Sequence, residues 1–265
     1  MSRFDGLAAI TFDFGNTLVP VARTSLERVV ETTADQVVAR LGPFDRDGFL
    51  DAWREERERQ FREEVPQFRE VDLAERFVRV LARLRGLPAP APDARWDQST
   101  AARWSDPEEI AWAVDAYSRA FVVGLPAPEA VGPMLGRLAA RYRLAIVSNW
   151  PLAATIDRFV EAAGWDRHLA AVVVSQRVGA IKPHPAIFRA AELGLGITRA
   201  EGRAILHVGD DWAADVVGAK AAGWRAALLT GRPGDSPLPS SARDDTVVPD
   251  LEVEGLADLE PALLG

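Results

Sequence analysis

The sequence predicts an α/β protein: a doubly wound parallel sheet with an inserted all-helical domain. Apolar runs at 143–148, 171–175, 204–209 and 224–229 alternate with helical patterns, which is typical of successive βαβ units. Another apolar run, at 7–12, stands apart from them. It is followed by about 100 residues in which helical patterns succeed one another without a convincing strand.

The isolated first strand indicates where the chain leaves the sheet and where it returns. Residues 1–20 and 127–265 are expected to form the core domain. Residues 21–126 are expected to form a helical cap domain. Parallel strands joined by helices are covered on both faces, so the core strands should be buried and largely apolar.

Five further segments are predicted from composition and pattern. The charge-rich run at 53–64 predicts a helix with a solvated face. The proline-rich stretch at 88–93 predicts a loop. The stretch at 231–245 is rich in Gly, Pro and Ser, so it predicts a loop, and nothing in it suggests catalysis. A weak strand at 246–248 and a short terminal helix should follow.

Composition excludes several classes of function. The net charge of −8 disfavours nucleic acid and anionic membranes as partners. The absence of cysteine excludes disulfides, thiol nucleophiles and thiolate metal sites, and it fits a cytoplasmic protein. The N-terminus lacks the apolar stretch of a signal peptide, and no apolar run reaches the length of a membrane span. The composition leaves the oligomeric state open.

Polar residues gather where the predicted core strands end. In a sheet of this kind, ligands bind at the carboxyl ends of the strands. The residues at those ends are Asp13 after the first strand, Ser148 and Asn149 after the second, Lys182 beyond the third, and Asp210, Asp211 and Asp215 after the fourth. We therefore expect acids, a hydroxyl and a lysine to lie along one edge of the sheet.

This combination of residue types favours phosphate chemistry. Several acids at one edge repel each other unless a cation lies between them, and oxygen ligands favour Mg²⁺. Lys182 and Ser148 could bind the oxygens of a phosphoryl group. Asp13 could then attack phosphorus as a carboxylate nucleophile.

Four motifs, in order, resemble those of the haloacid dehalogenase-like superfamily. They are FDFGNTL at 12–18, VSN at 147–149, GAIKPHPAIF at 179–188 and HVGDDWAADVVGAKAAG at 207–223. The helical insertion after the first motif resembles the cap of the superfamily's subfamily I. The resemblance covers nearly the whole chain and implies a Rossmann-like core with a helical cap.

The resemblance implies a role for each matching residue. Asp13 and Lys182 match the catalytic nucleophile and the lysine that balances its charge. Thr17, Ser148, Asn149 and Lys182 match substrate-binding positions; Asp13, the backbone carbonyl of Gly15 and Asp210 match metal ligands. Asp211 and Asp215 match positions that orient Lys182 or metal-bound water, and the sequence does not rank them.

Gly15 departs from the pattern of the phosphatases in this superfamily. They usually carry a second aspartate two residues after the nucleophile, which protonates the leaving group and then activates water. Glycine has no group to transfer a proton, and such catalysis is typically worth about 10²–10⁴-fold. We therefore expect impaired turnover or restriction to good leaving groups.

The expected function is magnesium-dependent hydrolysis of a small phosphorylated metabolite through an aspartyl phosphate. One alternative is a weakly active or inactive member that binds a ligand or a protein. Another is a haloacid dehalogenase, although Asp210 argues for a metal site. Phosphonatase chemistry needs a lysine in the cap, and residues 21–126 contain none. The sequence leaves the identity of the metabolite open.

Overall fold

The computed structural model describes residues 4–89, 98–197, 203–244 and 246–264. These residues form a six-stranded sheet in the order β3-β2-β1-β4-β5-β6, and all its strand pairs are parallel. The strands are β1 (Ala9–Phe12), β2 (Arg143–Ser148), β3 (Ala171–Val174), β4 (Ile205–Gly209), β5 (Arg225–Leu229) and β6 (Leu251–Val253). This arrangement confirms the predicted fold class.

The chain divides into two compact units. One comprises Met1–Arg23, Phe68–Glu70 and Leu125–Gly265, and the other comprises Thr24–Gln67 and Val71–Gly124. The described part of the second unit is helical and contains no strand. Its helices are α1 (Arg23–Leu41), α2 (Arg46–Glu64), α3 (Leu73–Leu84), α4 (Gln98–Ala102) and α5 (Pro107–Gly124). Most of the proline-rich loop predicted at 88–93 lies outside the described residues.

A three-residue segment between α2 and α3 belongs to the sheet-containing unit. The carbonyl of Phe68 accepts a hydrogen bond from the amide of Ile181 at 3.0 Å. The hydroxyl of Ser175 donates to the carboxylate of Glu70 at 2.5 Å. Domain boundaries placed only at residues 20 and 127 would assign this segment to the helical domain, together with its neighbours α2 and α3.

Helices complete the βαβ units of the sheet-containing unit. They are α6 (Val131–Ala139), α7 (Ala153–Ala162), α8 (Ser175–Val178), α9 (Pro185–Leu195), α10 (Gly218–Ala221) and α11 (Leu256–Leu264). Every residue of β1 and β4 is buried, as expected for central parallel strands. The predicted run 143–148 coincides with β2, and the other predicted core strands differ by one or two residues. Among the described helices, none has the length and apolar character needed to cross a membrane.

The strand predicted at 246–248 is wrong, because the last strand begins at Leu251, five residues after the predicted start. Asp250 fixes this register. Its carboxylate accepts a hydrogen bond from the amide of Ala226 at 2.9 Å and pairs with Lys220 at 2.9 Å. Its amide donates to the carbonyl of Ala226 at 2.7 Å. Pairing with β5 therefore starts at Leu251, while Val248 is 72% exposed.

The helix predicted at 53–64 has its solvated face, on which Arg54, Glu55, Glu58 and Arg62 are exposed, but it also has a buried face. In α2 the side chains of Trp53, Glu56, Arg59 and Gln60 are buried. Glu56 pairs with Arg83 of α3 at 3.1 Å, and Gln60 accepts a hydrogen bond from Arg76 of α3 at 2.9 Å. Part of the charged run is buried because α3 presents arginines to it, which the sequence of α2 alone does not reveal.

We predict that Glu56→Ala lowers the free energy of unfolding by about 3 kcal/mol, because it breaks a buried ion pair. Glu55→Ala is a matched control. Glu55 also pairs with Arg83, at 2.7 Å, but its side chain is 57% exposed, whereas that of Glu56 is 1% exposed. The control should change stability by less than about 1 kcal/mol. Urea unfolding measures both values, and equal losses would contradict the prediction.

Candidate active site

The order of the strands places β1 and β4 at the centre of the sheet. The chain adds β2 and β3 on one side of β1, then crosses to add β4 on the other. Ligands bind at such a reversal, beyond the carboxyl ends of the strands. Phe12 pairs with Val208 in register, so Asp13 and Asp210 emerge on neighbouring strands of this edge. The edge thus brings together acids that lie almost 200 residues apart.

Lys182 joins two of these acids. Its Nζ lies 2.7 Å from Oδ1 of Asp13 and 2.6 Å from Oδ1 of Asp215. Asn149 fixes the backbone of Lys182 by accepting from its amide at 2.7 Å and donating to its carbonyl at 3.1 Å. Lys182 is therefore held at its backbone by Asn149 and at its ammonium by the two acids. The end of β2 thus positions the lysine that binds Asp13.

Asp215 reaches the site because Gly209 leaves it room. A Cβ atom on Gly209 would lie 2.2 Å from the carboxyl carbon of Asp215, so no other residue fits there without displacement. The carboxylate also accepts a hydrogen bond from the amide of Asp211 at 2.9 Å and lies 3.1 Å from Nε2 of His207. Asp215 is therefore tied to the protein by a lysine, a histidine and an amide.

Asp210 has looser partners. The hydroxyl of Thr17 lies 3.5 Å from one carboxylate oxygen, and Nδ2 of Asn16 lies 3.4 Å from the other. Asn16 adopts a left-handed conformation, with φ of 58°, which asparagine tolerates better than most residues. Arg232 approaches Asp210 to 3.3 Å. Asp210 therefore lacks the short contact with a buried cation that Asp13 and Asp215 have.

The environment separates the pKa values of the acids. Burial raises the pKa of Asp13 to about 6, against the opposing effect of Lys182. Burial, together with the Asp13 and Asp215 carboxylates, raises the pKa of Asp210 to about 8. Burial also acts to raise the pKa of Asp215, but Lys182 and His207 outweigh it and hold that pKa well below its usual range.

The donor atoms fit a hard divalent cation. Carboxylate oxygens of Asp13, Asp210 and Asp215 lie within 4.8 Å of one another. Asp215 is engaged by Lys182, by His207 and by the amide of Asp211, whereas Asp13 contacts Lys182 through Oδ1 and Asp210 has only long contacts. Asp13 and Asp210 are therefore the carboxylates with more capacity for a metal. Burial is the main cause of the raised pKa of both acids, and a cation bound between them would favour their charged forms. Mg²⁺ prefers such oxygen ligands and is usually held by one or two carboxylates.

Ser148 supplies an unused hydroxyl at the end of β2. Its side chain is buried, and its Oγ has no hydrogen-bond partner among the described residues. Buried hydroxyls almost always have a hydrogen-bond partner, which the protein, water or a ligand can supply. The hydroxyl is therefore available to a ligand oxygen at the carboxyl edge.

Comparison with known proteins decides the family. Residues 7–223 match the family described as haloacid dehalogenase-like hydrolase. The chain belongs to this family. The mouse haloacid dehalogenase-like hydrolase domain-containing protein 3 is 34% identical over 121 residues, which span 46% of this chain and 45% of that protein. The chain thus spans about half the length of this relative.

Solved structures of the haloacid dehalogenase-like fold match nearly the whole chain. The 2-haloacid dehalogenase from Pseudomonas syringae has a TM-score of 0.62 at 22% identity and covers 97% of this chain and 98% of its own. The phosphatase of this fold from Thermococcus onnurineus has a TM-score of 0.60 at 22% identity and covers 98% and 99%. At this identity the likeness shows the fold, which serves both chemistries.

Gly15 lies beneath an apolar cover in this member of the haloacid dehalogenase-like family. Its φ is outside the left-handed region, so the backbone alone does not demand glycine. A Cβ atom there would lie 2.5 Å from Leu238 and 3.5 Å from Trp150. Leu238 therefore occupies the space into which a side chain at position 15 would extend. The role of the Gly15 carbonyl as a metal ligand stays a prediction.

The structure separates the two acids that the sequence does not rank. Asp215 contacts Lys182, as described above. The carboxylate of Asp211 instead accepts from the amide of Ala214 at 2.7 Å and from the amide of Ser241 at 2.7 Å. Asp211 thus caps the helical turn after β4 and holds a later loop. Thr17 contacts Asp210, and Asn149 contacts Lys182. The contacts of Thr17 and Asn149 with a substrate stay predictions.

Sequence reasoning missed the loop that follows β5, here called the β5 loop and defined as residues 231–244. That nothing in it suggests catalysis stays a prediction, but the loop does contact residues of the site. The residues of the loop that reach the sheet edge are Arg232, Ser236, Leu238 and Ser241. The rule applied to the other strand ends applies equally to the carboxyl end of β5, and it would have selected Arg232.

We predict that Asp210→Asn stabilises the metal-free protein at pH 8. Folding favours the protonated form of Asp210, so the stability of the wild type falls as the pH rises from about 4 towards about 8. The amide removes this loss, and Tm should rise by about 2–4 °C for each kcal/mol regained. Thermal unfolding in the presence of a chelator measures the change.

Asp157→Asn is the control for this comparison, because Asp157 pairs with Arg177 and its side chain is 44% exposed. It should leave Tm within about 1 °C. A lower Tm for Asp210→Asn than for the wild type would contradict the prediction.

Proposed function

We propose that the protein is a magnesium-dependent phosphohydrolase that uses Asp13 as its nucleophile on a small phosphorylated metabolite. The observation that carries the proposal is the position of the Asp13 carboxylate. It lies 2.7 Å from the ammonium of Lys182 and within 4.8 Å of Asp210. A carboxylate, a fixed cation and an acid with capacity for a metal thus share the edge where ligands bind.

In the proposed reaction, a carboxylate oxygen of Asp13 attacks phosphorus. A bond forms between this oxygen and phosphorus, and the bond from phosphorus to the leaving oxygen breaks. Water then attacks phosphorus, the bond to Asp13 breaks, and inorganic phosphate leaves with the carboxylate restored. Lys182 reduces the repulsion between Asp13 and the phosphate, and Ser148 donates its hydrogen bond to a phosphoryl oxygen.

The residues available for Mg²⁺ are Asp13, the carbonyl of Gly15 and Asp210. When bound, the ion would supply positive charge that offsets the negative charge of the phosphoryl oxygens. Thr17 contributes by holding Asp210, and Asn149 by holding the backbone of Lys182. We further propose that the helical unit serves as the cap and selects the substrate.

The surroundings of Gly15 support a preference for good leaving groups. The atoms nearest to a Cβ placed there belong to Leu238, Trp150 and Val21, all apolar. None of these three described neighbours is an acid that could protonate a departing alkoxide. A phenolate or an acyl group departs without that proton much more readily than an alkoxide does.

The first test measures phosphate release from 4-nitrophenyl phosphate with Mg²⁺ and with a chelator. Wild type should release phosphate only with the metal, and Asp13→Asn should lower the rate by roughly 10⁴-fold or more because the amide is no nucleophile. Asp157→Asn should retain the wild-type rate, since Asp157 makes an exposed ion pair. Metal-independent chloride release from 2-chloropropionate, without phosphate release, would replace the proposal by dehalogenation. No turnover of any substrate would favour a binding protein.

The second test compares leaving groups in the wild type. The value of kcat/KM for an aryl phosphate should exceed that for an alkyl phosphate of similar size by about 10²-fold or more, because the described surroundings of Gly15 supply no acid. A panel of phosphomonoesters graded by leaving-group pKa provides the measurement. A rate that does not depend on the leaving group would contradict the expectation.

A further inference from the structure

The β5 loop is built into the carboxyl edge of the sheet. Nδ2 of Asn16 donates to the hydroxyl of Ser236 at 3.0 Å. The amide of Ser241 donates to Asp211 at 2.7 Å. Between these two anchors, the side chain of Leu238 covers Gly15. The loop therefore shields the backbone directly after the nucleophile.

Arg232 connects the loop to a metal-site acid. Its Nη2 donates to the carbonyl of Leu238 at 2.7 Å, and its Nη1 donates to the carbonyl of Pro239 at 3.3 Å. The same Nη1 lies 3.3 Å from Oδ2 of Asp210. One guanidinium thus holds the segment of the loop that covers Gly15 and also faces the carboxylate of Asp210.

The contact between Arg232 and Asp210 matters because of the other charges around the site. Lys182 is bound to Asp13 and Asp215, which leaves Arg232 as the cation that reaches Asp210 among the described ion pairs. A divalent cation on Asp210 would lie within a few ångströms of the guanidinium. Two positive charges that close repel strongly, even at the effective dielectric constant of a protein surface. Both cannot keep the same short contact with one carboxylate.

We infer that Arg232 competes with the divalent cation for Asp210 and links cation binding to release of the β5 loop from Gly15. Without a cation, Arg232 pairs with Asp210 and fastens the loop through the carbonyls of Leu238 and Pro239. Cation binding displaces the guanidinium, and the segment that it fastens loosens. The inference rests on the magnesium site of the proposed function, but not on turnover.

The competition is tested by titrating Mg²⁺ into the 265-residue protein by calorimetry, with no phosphate compound present. Arg232→Met should bind Mg²⁺ about tenfold more tightly than wild type, equivalent to 1.4 kcal/mol, because nothing must be displaced from Asp210. Arg243→Met is the matched control. Arg243 lies on the same loop, but it pairs with Glu252 at 2.8 Å and stacks over Trp212. The control removes the same charge and should leave the affinity unchanged.

The link to the loop is tested by amide hydrogen exchange of residues 232–240. Mg²⁺ should speed exchange of this segment in wild type. In Arg232→Met, exchange should already be fast and should not respond to Mg²⁺. Unchanged or weaker Mg²⁺ binding in Arg232→Met would overturn the competition, and so would an equal gain in Arg243→Met. Exchange that Mg²⁺ leaves unchanged or slows in wild type would overturn the link to the loop.

These outcomes are distinguishable from failure of the proposed function. A protein that binds Mg²⁺ in the expected order of affinities but hydrolyses no phosphate ester supports the inference and contradicts the phosphohydrolase. A protein that releases phosphate but binds Mg²⁺ with equal affinity in wild type and Arg232→Met supports the phosphohydrolase and contradicts the inference. Absence of Mg²⁺ binding in all three proteins overturns the inference.

Discussion

The ammonium of Lys182, buried between Asp13 and Asp215, is the interaction on which the rest of the site depends. Two carboxylates buried this close together would repel each other without a cation between them. A buried ammonium is equally unfavourable without acids. Burial alone would lower the pKa of Lys182, but the two acids raise it above its ordinary value, so the lysine keeps its charge. Asn149, which fixes the lysine backbone, and Gly209, which leaves room for Asp215, serve this one contact.

That contact also divides the acids by role. Asp215 contacts Lys182, His207 and the amide of Asp211, so groups of the protein itself compensate its negative charge. Asp210 is left with a raised pKa, and among the described ion pairs the cation that reaches it is Arg232, at 3.3 Å. A fold optimised for stability alone would not keep such a residue in a buried position. Carboxylates maintained at this energetic disadvantage are typical of sites that gain their counter-charge from a ligand.

The sequence predicts those parts of the molecule that depend on local pattern or on a topological rule. Apolar runs predict the strands, and the rule for parallel sheets brings Asp13, Lys182 and Asp210 to one edge. The burial of Glu56 is not predictable from α2, since its partner Arg83 lies on another helix. The part played by Leu238 is equally hidden. A loop rich in Gly, Pro and Ser has no periodicity, and only its path in space brings an apolar side chain over Gly15.

The segment Phe68–Glu70 has a consequence for engineering and for the evolution of modular enzymes. The chain passes between the two units four times rather than twice, since this segment returns to the sheet-containing unit between α2 and α3. Exchanging residues 24–124 for the insertion of a relative would remove the hydrogen-bond partners of Ile181 and Ser175. A chimaera must therefore keep Phe68–Glu70 and replace the helices on either side as two separate cassettes. Recombination that treats the insertion as one block would deliver a new helical unit and a damaged sheet-containing unit.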